Sequence, residues 1–168
     1  RQPRIAILTT GDELIQPGQK LDINQIYNSN SFAIEAACKS LGLNDIIKLH
    51  CDDTRIDTIK KLQKAIDFAD VIICTGGVSV GDRDLVKPVL EEDFEVETLL
   101  WRISIKPGKP VYFGRKQKKY FFGLPGNPVS ALVTFHLFVK PSLLKLQGIA
   151  PARPSVHQAI LSKKIKKK

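Results

Sequence analysis

Glycine, serine and acidic residues directly follow an apolar run near the middle of the chain. The stretch VIICTGGVSVGDRD, residues 71–84, contains Gly76, Gly77, Ser79, Asp82 and Asp84. Backbone N–H groups approach an anion closely at glycine, and a serine hydroxyl adds a further hydrogen bond. Carboxylates repel a phosphate unless a cation lies between them, and Mg²⁺ is the expected mediator. The stretch therefore predicts a phosphate-binding loop with Mg²⁺, and the alternative is a tight turn with helix-capping aspartates.

Two other segments place carboxylates directly after predicted strands. TTGDEL contributes Asp12 and Glu13, and CDDT contributes Asp52 and Asp53. The glycine stretch lacks both the G-x-G-x-x-G spacing of dinucleotide-binding folds and the lysine of a P-loop. These differences argue against an ordinary dinucleotide-binding protein and against a P-loop NTPase.

Two lysines lie in the proline-rich segment IKPGKP, residues 105–110. Its prolines, the second of which is Pro110, stiffen the loop, so less entropy is lost when Lys106 and Lys109 bind a ligand. Ammonium groups are compact point charges, which suits a small oxyanion. The alternative is a rigid surface turn whose lysines are solvated.

The segment GLPGNPVSA, residues 123–131, predicts a strand, a turn with Gly126 and the start of a helix. Asn127 is a favourable N-cap residue, and Pro128 is favourable in the first helical turn. We expect the helix start to expose unpaired N–H groups beside Ser130, where an anion or a carbonyl oxygen would bind. The alternative is simply a well-capped helix.

Apolar runs and helical periodicity predict the elements that position these loops. Strands are predicted at 4–10, 45–50, 70–75 and 94–100, with a hairpin around RKQKK (residues 115–119). Helices are predicted to begin at Ser29, after Thr54, near Leu85 and after Asn127. In the first, the apolar residues that recur at spacings of four are Phe32, Ala33, Ala36, Ala37 and Leu41. In the second, a capping box of Thr54 and Asp57 is followed by an inward face of Ile59, Leu62, Ile66 and Ala69.

Alternation of strands and helices predicts an α/β fold with a mostly parallel sheet and helices on both faces, hence three layers. Ligands of such sheets bind beyond the carboxyl ends of the strands. Because the chemically interesting loops all follow strands, we expect them to gather along one edge. Pro141 is expected to kink or interrupt the last helix, and Gly148 to end it.

Composition limits the classes of function. The 168 residues are 43% hydrophobic and 26% charged, which is typical of one globular domain. No apolar run approaches the roughly 20 residues of a membrane span, and no signal peptide pattern is present, so no membrane association is expected. Five lysines in the last six residues supply much of the net charge of +9, and aromatic residues do not alternate with basic ones. Nucleic-acid binding is therefore not expected.

The remaining reactive side chains suggest no further site. The three cysteines (Cys38, Cys51 and Cys74) lack metal-binding spacing, and we expect them to be reduced and partly buried, as in a cytoplasmic protein. His50, His136 and His157 have no nucleophile partner in a recognisable pattern, which argues against nucleophilic catalysis. Trp101, Phe121 and Phe122 are predicted to belong to the core.

Five segments, in this order, resemble the molybdopterin molybdenumtransferases, whose relatives include the C-terminal domain of gephyrin. They are TTGDEL, IYNSN, GGVSVGDRD, KPGKP and GLPGNPVSA, and the resemblance extends from Arg4 to about Gly148. It implies insertion of molybdate into adenylylated molybdopterin with Mg²⁺-dependent release of AMP. The related molybdopterin adenylyltransferases share the double glycine and a Leu-Pro-Gly segment, but KPGKP and GGVSVGD are closer to the transferases.

The resemblance also implies residue roles. Asp84 would bind Mg²⁺ and be catalytic, with Glu13 and one of Asp52 or Asp53 (Asp53 is preferred) in the same cleft. The residues expected to contact the adenylate or pterin, or to shape their pocket, are Gly76, Gly77, Ser79, Asp82, Gly126 and Asn127. Lys106, Lys109, Pro110 and Ser130 would bind molybdate.

Members of this family are larger than this chain and work as dimers whose cleft lies between subunits. Residues 1–150 are accordingly predicted to form the molybdopterin-binding domain, and residues 151–168 a linker and the start of a further domain. The isolated domain is expected to bind ligands weakly or to be inactive. A non-catalytic molybdopterin-binding scaffold and an adenylyltransferase are the alternative functions.

Overall fold

Apolar segments alternate with amphipathic ones along the first part of the chain, and they form strands and helices in turn. The computed structural model describes residues 2–78, 84–149, 158–160 and 162–163. The strands are β1 (Ile5–Thr10), β2 (Leu14–Ile15), β3 (Ile26–Tyr27), β4 (Ile46–Cys51), β5 (Val71–Thr75), β6 (Glu97–Trp101), β7 (Tyr112–Lys116) and β8 (Lys119–Leu124). The α-helices are α1 (Ser29–Lys39), α2 (Arg55–Phe68), α3 (Val86–Glu92), α4 (Pro128–Thr134) and α5 (Lys140–Leu146).

Six of these strands form one mixed sheet in the order β4-β1-β5-β8-β7-β6. The first four are parallel, and β7 is antiparallel to both of its neighbours. The predicted α/β fold with a mostly parallel sheet is confirmed. Because β6 runs in the same direction as β8, the connection between β6 and β7 lies at the carboxyl edge, beside the loops that follow β1, β4, β5 and β8.

Helices cover both faces of the sheet and enclose two cores. On one face, α2 and α3 pack on β1, β5 and β8 through Leu62, Ala65, Val86, Val89 and Leu90. On the other face, α1 and the C-terminal helix pack through Ile34, Cys38, Phe135, Val139 and Leu143. The central strands are buried from both sides, which explains their continuous apolar sequence.

The predicted start and inward face of α2 are confirmed. The hydroxyl oxygen of Thr54 accepts a hydrogen bond from the Asp57 N–H at 3.3 Å, as in a capping box. The Asp57 carboxylate in turn accepts from the backbone N–H of Asp52 at 3.1 Å. Leu62 is fully buried, and Ile59 and Ile66 pack against the same core.

The recurring apolar residues of α1 do not all face the sheet. Phe32 is 42% exposed and Ala36 is also exposed, whereas Ile34 and Cys38 are fully buried. The Lys48 ammonium lies 3.7 Å from the centre of the Phe32 ring, so a cation–π contact holds this ring at the surface. A further pair four residues apart, Ile34 and Cys38, faces the sheet and was not among the residues identified from the sequence.

The last helix is continued rather than broken at its proline. Between α4 and α5 lies a π-helical turn, Phe135–Val139, and Pro141 occupies the first turn of α5. Proline has no N–H to donate to the preceding turn, so the hydrogen-bonding pattern changes just before it. At 19 residues, Pro128–Leu146 is long and apolar enough to cross a membrane by length and composition alone. Its residues Phe135, Val139 and Leu143 nevertheless pack in the core, as in the core helix of a globular domain.

Two further expectations concern the hairpin and the tail. The hairpin is confirmed, but its turn is only Gln117–Lys118 because Lys116 pairs with Lys119. In the loop after β1, β2 and β3 pair as a small parallel sheet. The predicted linker and further domain, 151–168, lie almost wholly outside the described residues.

Candidate functional site

A cleft of about 650 Å³ lies at the carboxyl edge of the parallel strands. The loops after β1, β4, β5 and β8 form its walls, together with the start of α1. The residues proposed from sequence that line it are Glu13, Asp53, Gly76, Gly77, Asp84, Gly126 and Asn127. Its volume is within the usual range of small-molecule sites, about 300–1,000 Å³. The topology therefore unites segments that are up to about a hundred residues apart in sequence.

Three acidic residues from three loops line this cleft, namely Glu13, Asp53 and Asp84. Asp52, the other candidate in CDDT, is exposed and is not part of the lining, so geometry favours Asp53. The Asp12 carboxylate accepts a hydrogen bond from the Asp53 N–H at 2.9 Å, which fixes the loop after β4 against the loop after β1. No lysine or arginine belongs to the lining formed by the described residues.

The double glycine after β5 is required by close packing. Gly76 and Gly77 have φ angles of 84° and 67°, a region that disfavours residues with a Cβ. A Cβ atom on Gly76 would lie 2.7 Å from the Thr10 hydroxyl oxygen, and one on Gly77 would lie 2.7 Å from the Val86 Cγ2. These glycines bring the backbone of the loop against β1 and α3 at the floor of the cleft.

Two asparagines of the IYNSN segment also line the cleft, and sequence analysis assigned them no role. The Asn28 side chain caps α1 by accepting from the Ser31 N–H, and its amide donates to the Thr9 hydroxyl at 2.9 Å. The Asn30 amide donates to the Gly126 carbonyl oxygen at 2.8 Å. These contacts join the start of α1 to β1 and to the loop before α4. The Asn-Ser-Asn pattern at a helix start was the available signal.

The expected anion site at the start of α4 is not supported. The Asn127 side-chain oxygen accepts from the N–H groups of both Val129 and Ser130, at 3.1 and 3.2 Å. The Ala131 N–H donates to the Asn127 carbonyl oxygen at 2.9 Å, and Pro128 has no N–H. The N–H groups of the first turn therefore have partners already, as in a well-capped helix.

The segment with the two lysines, residues 105–110 (the lysine loop), lies along the same edge of the sheet but outside the cleft lining. Lys106 and Lys109 are exposed, and neither they nor Pro110 and Ser130 line the cleft. Gly108 between the lysines is buried, and a Cβ there would lie 2.5 Å from the Thr134 methyl group. This contact with α4 holds the loop beside the helix that begins at the cleft.

Trp101 was predicted to be a core residue, and that prediction is wrong. Its side chain is 36% exposed, because β6 is the edge strand of the sheet. Phe121 and Phe122 of the central strand β8 are buried as predicted. All three cysteines are buried and unpaired, and burial raises the pKa of the Cys38 thiol to about 12 and that of Cys51 to about 11.

The oxygen donors at the cleft indicate what kind of Mg²⁺ site the described residues could form. Ser79 and Asp82 lie outside the described residues. Within residues 2–78, 84–149 and the short described pieces of the tail, no three His, Cys, Asp or Glu side chains form a metal-binding group. Mg²⁺ commonly binds through only one or two carboxylates and completes its shell with water and substrate phosphates. The carboxylates of the cleft fit that mode of binding, and they do not fit a site made of protein ligands alone.

Residues 6–145 match the family described as a probable molybdopterin binding domain. The chain belongs to this family. The matched range contains every residue that lines the cleft, from Thr10 to Pro128. The resemblance deduced from sequence is thereby confirmed at the level of the family.

Curated relatives in this family carry names that describe a transferase. The chain is 41% identical, over 99% of its length, to the molybdopterin molybdenumtransferase of Haemophilus influenzae. It is 43% identical over 84% of its length to the molybdenum cofactor synthesis protein cinnamon of Drosophila melanogaster. The chain spans only 41% and 24% of these two proteins, respectively. The similarity therefore concerns a part of each relative.

Solved structures agree with this family. A molybdopterin biosynthesis MoeA protein from Pyrococcus horikoshii superposes with a TM-score of 0.78 at 36% identity. The match covers 88% of this chain and 36% of that protein. A CinA protein from Thermoplasma acidophilum has a TM-score of 0.64 at 13% identity, and this likeness shows the molybdopterin-binding fold alone.

Proposed function

We propose that this domain binds adenylylated molybdopterin and takes part in inserting molybdate into it, with release of AMP. The observation that supports this proposal is that Glu13, Asp53 and Asp84 line the same cleft as Gly76 and Gly77. Glycine N–H groups suit phosphate oxygens, and carboxylates suit a cation that neutralises them. The names of the relatives, molybdopterin molybdenumtransferase among them, support this choice of substrate.

Asp84 would hold Mg²⁺ together with the substrate phosphates, and Glu13 and Asp53 would complete its surroundings through water. Bound there, Mg²⁺ would neutralise phosphate charge and favour the departure of AMP. The chain's own share is positioning. Gly126 and Asn127, with the glycine loop and Asp82 and Ser79, would shape the pocket for the adenylate and the pterin.

Release of AMP would be a hydrolysis. Water would add to phosphorus, the phosphorus–oxygen bond to AMP would break, and AMP would leave with the bonding electrons. The Glu13 or Asp53 carboxylate would accept the proton of that water. Pterin dithiolene sulfurs would then replace oxygen atoms of molybdate, which leave as water after protonation.

Molybdate itself would bind at the lysine loop, where the ammonium groups of Lys106 and Lys109 attract a small dianion. Pro110 and Ser130 would shape this site. The loop follows β6 at the same edge as the cleft, so molybdate would approach from the margin of the pterin site. A homodimer of the full-length protein, located in the cytoplasm, is part of the proposal.

The test is an assay of the full-length protein with adenylylated molybdopterin, Mg²⁺ and molybdate. Asp84→Asn should lower the rates of AMP release and metal insertion by about a hundredfold or more. Lys109→Gln should raise the molybdate concentration needed for half-maximal insertion. Lys118→Gln, in the hairpin at the opposite edge, is the matched control and should leave both rates unchanged. Unimpaired metal insertion by both Asp84→Asn and Lys109→Gln would refute the proposal.

A further inference from the structure

Trp101 makes a side-chain hydrogen bond to Val78, which follows Gly76 and Gly77 at the start of the glycine loop (the loop after β5). Its indole Nε1–H donates to the Val78 carbonyl oxygen at 3.3 Å. Trp101 is the last residue of β6 and the only tryptophan among the 168 residues. The contact joins the edge strand β6 to the loop that follows β5. Two strands, β7 and β8, lie between β6 and β5 in the sheet.

The Val78 carbonyl lies just inside the base of this loop. The base is closed by a backbone hydrogen bond from the Val86 N–H to the Gly77 carbonyl oxygen at 3.0 Å. The Val78 side chain is only 2% exposed and packs on Gly123 of β8, where a Cβ would lie 2.5 Å away from it. A backbone carbonyl beside a buried side chain needs a donor, and the indole supplies one.

Trp101 is itself held in place. The Lys87 ammonium lies 4.4 Å from the ring centre and the Arg102 guanidinium carbon 4.3 Å from it, both within cation–π range. Its backbone leads directly into the lysine loop. That loop is fixed separately by backbone bonds from Arg102 to Val111 (2.8 Å) and from Ile103 to Lys109 (3.0 Å). The side chain therefore acts on the glycine loop, and the lysine loop does not depend on it.

We infer that Trp101 is a positioning residue that holds the start of the glycine loop in the conformation that receives the ligand phosphate. The inference rests on the proposed function, since it assumes that this loop binds the adenylate phosphate with Mg²⁺. The indole N–H is the group that acts. A phenyl ring at the same position keeps an aromatic face for Lys87 but has no N–H to donate, and it is smaller than the indole.

The test compares the full-length wild type with Trp101→Phe by calorimetric titration with AMP and MgCl₂, and separately with sodium molybdate. Trp101→Phe should weaken AMP binding about fivefold, the factor that one neutral hydrogen bond is worth. Binding of molybdate should be unchanged. Leu99→Ala removes another partly exposed apolar side chain (45% exposed) from the same strand and should change neither affinity.

Fluorescence gives a second, independent measurement. The emission of wild type minus that of Trp101→Phe isolates the indole, and it should change with AMP and Mg²⁺ in step with the calorimetric binding curve. Such a change would show that the surroundings of the Trp101 indole respond to the bound ligand.

The outcomes separate the two proposals. If wild type does not bind AMP with Mg²⁺, the proposed function is overturned and this inference falls with it. If wild type binds and Trp101→Phe binds equally well, or the indole emission does not respond, the inference alone is overturned. Equal losses of AMP and molybdate binding in Trp101→Phe would also overturn it, because they would indicate general destabilisation.

Discussion

The substitution Gly77→Ala measures how tightly the floor of the cleft is packed. Gly77 has a φ of 67°, and its added Cβ would lie 2.7 Å from the Val86 Cγ2 and 3.2 Å from the Thr10 hydroxyl oxygen. The left-handed backbone costs about 1–2 kcal/mol for a residue with a Cβ. Overpacking against Val86 adds about 1–3 kcal/mol. We expect the free energy of unfolding to fall by about 2–5 kcal/mol in all.

Gly18→Ala is the matched control. Gly18 also has a positive φ, 95°, but no heavy atom lies within 4 Å of an added Cβ. This variant should therefore show the backbone penalty of about 1–2 kcal/mol without the packing penalty. Both values are measured by equilibrium urea unfolding followed by circular dichroism, with unchanged slopes as the condition for comparison. Equal destabilisation by the two substitutions would refute the claim that the glycine loop packs against α3.

Two further predictions concern the helix cap and alkaline pH. Asn127→Ala removes the acceptor of two N–H groups and should lower the free energy of unfolding by about 1 kcal/mol. Asn127→Asp keeps a side-chain acceptor and should retain most of the stabilisation that the cap provides. Thermal unfolding measures both effects. Burial raises the pKa of Cys38 and of Tyr112 to about 12 and that of Cys51 to about 11, so the unfolded chain ionises first. These groups should therefore not affect the free energy of unfolding below pH 9. Between about pH 9 and 12 the free energy of unfolding should fall. A urea midpoint that stays constant over that interval would contradict this prediction.

The sequence was a good guide where one local signal fixes one element. Continuous apolar runs between turn residues identified β1 and β5, and that composition is typical of strands covered on both faces. The Thr54–Asp57 capping box located the start of α2 to the residue. The carboxyl-edge rule then placed the separate loops that contain Glu13, the Asp52–Asp53 pair and Asp84 at one edge, but it did not distinguish Asp53 from Asp52.

The failures have a common physical origin in tertiary contacts. Periodicity alone did not show which apolar residues of α1 face the sheet. Phe32 lies at the surface in contact with Lys48 of β4, and this contact is not visible in the local sequence. Exposure of Trp101 follows from the position of β6 at the edge, which depends on pairing order. The partners of Asn28 and Asn30 are a hydroxyl on β1 and a carbonyl before α4, and neither is visible in the local sequence.

Because β7 runs antiparallel to β6 and β8, the candidate ligand-binding loops lie at one end of the sheet and the β7–β8 turn lies at the other. The chain returns five times to the end that holds the carboxylates and lysines, while the other end carries brief turns such as Gln117–Lys118. A surface anchor or a fluorescent label joined at that hairpin would leave the ligand approach clear. Immobilised in this way, the protein would present its pocket directly to solution.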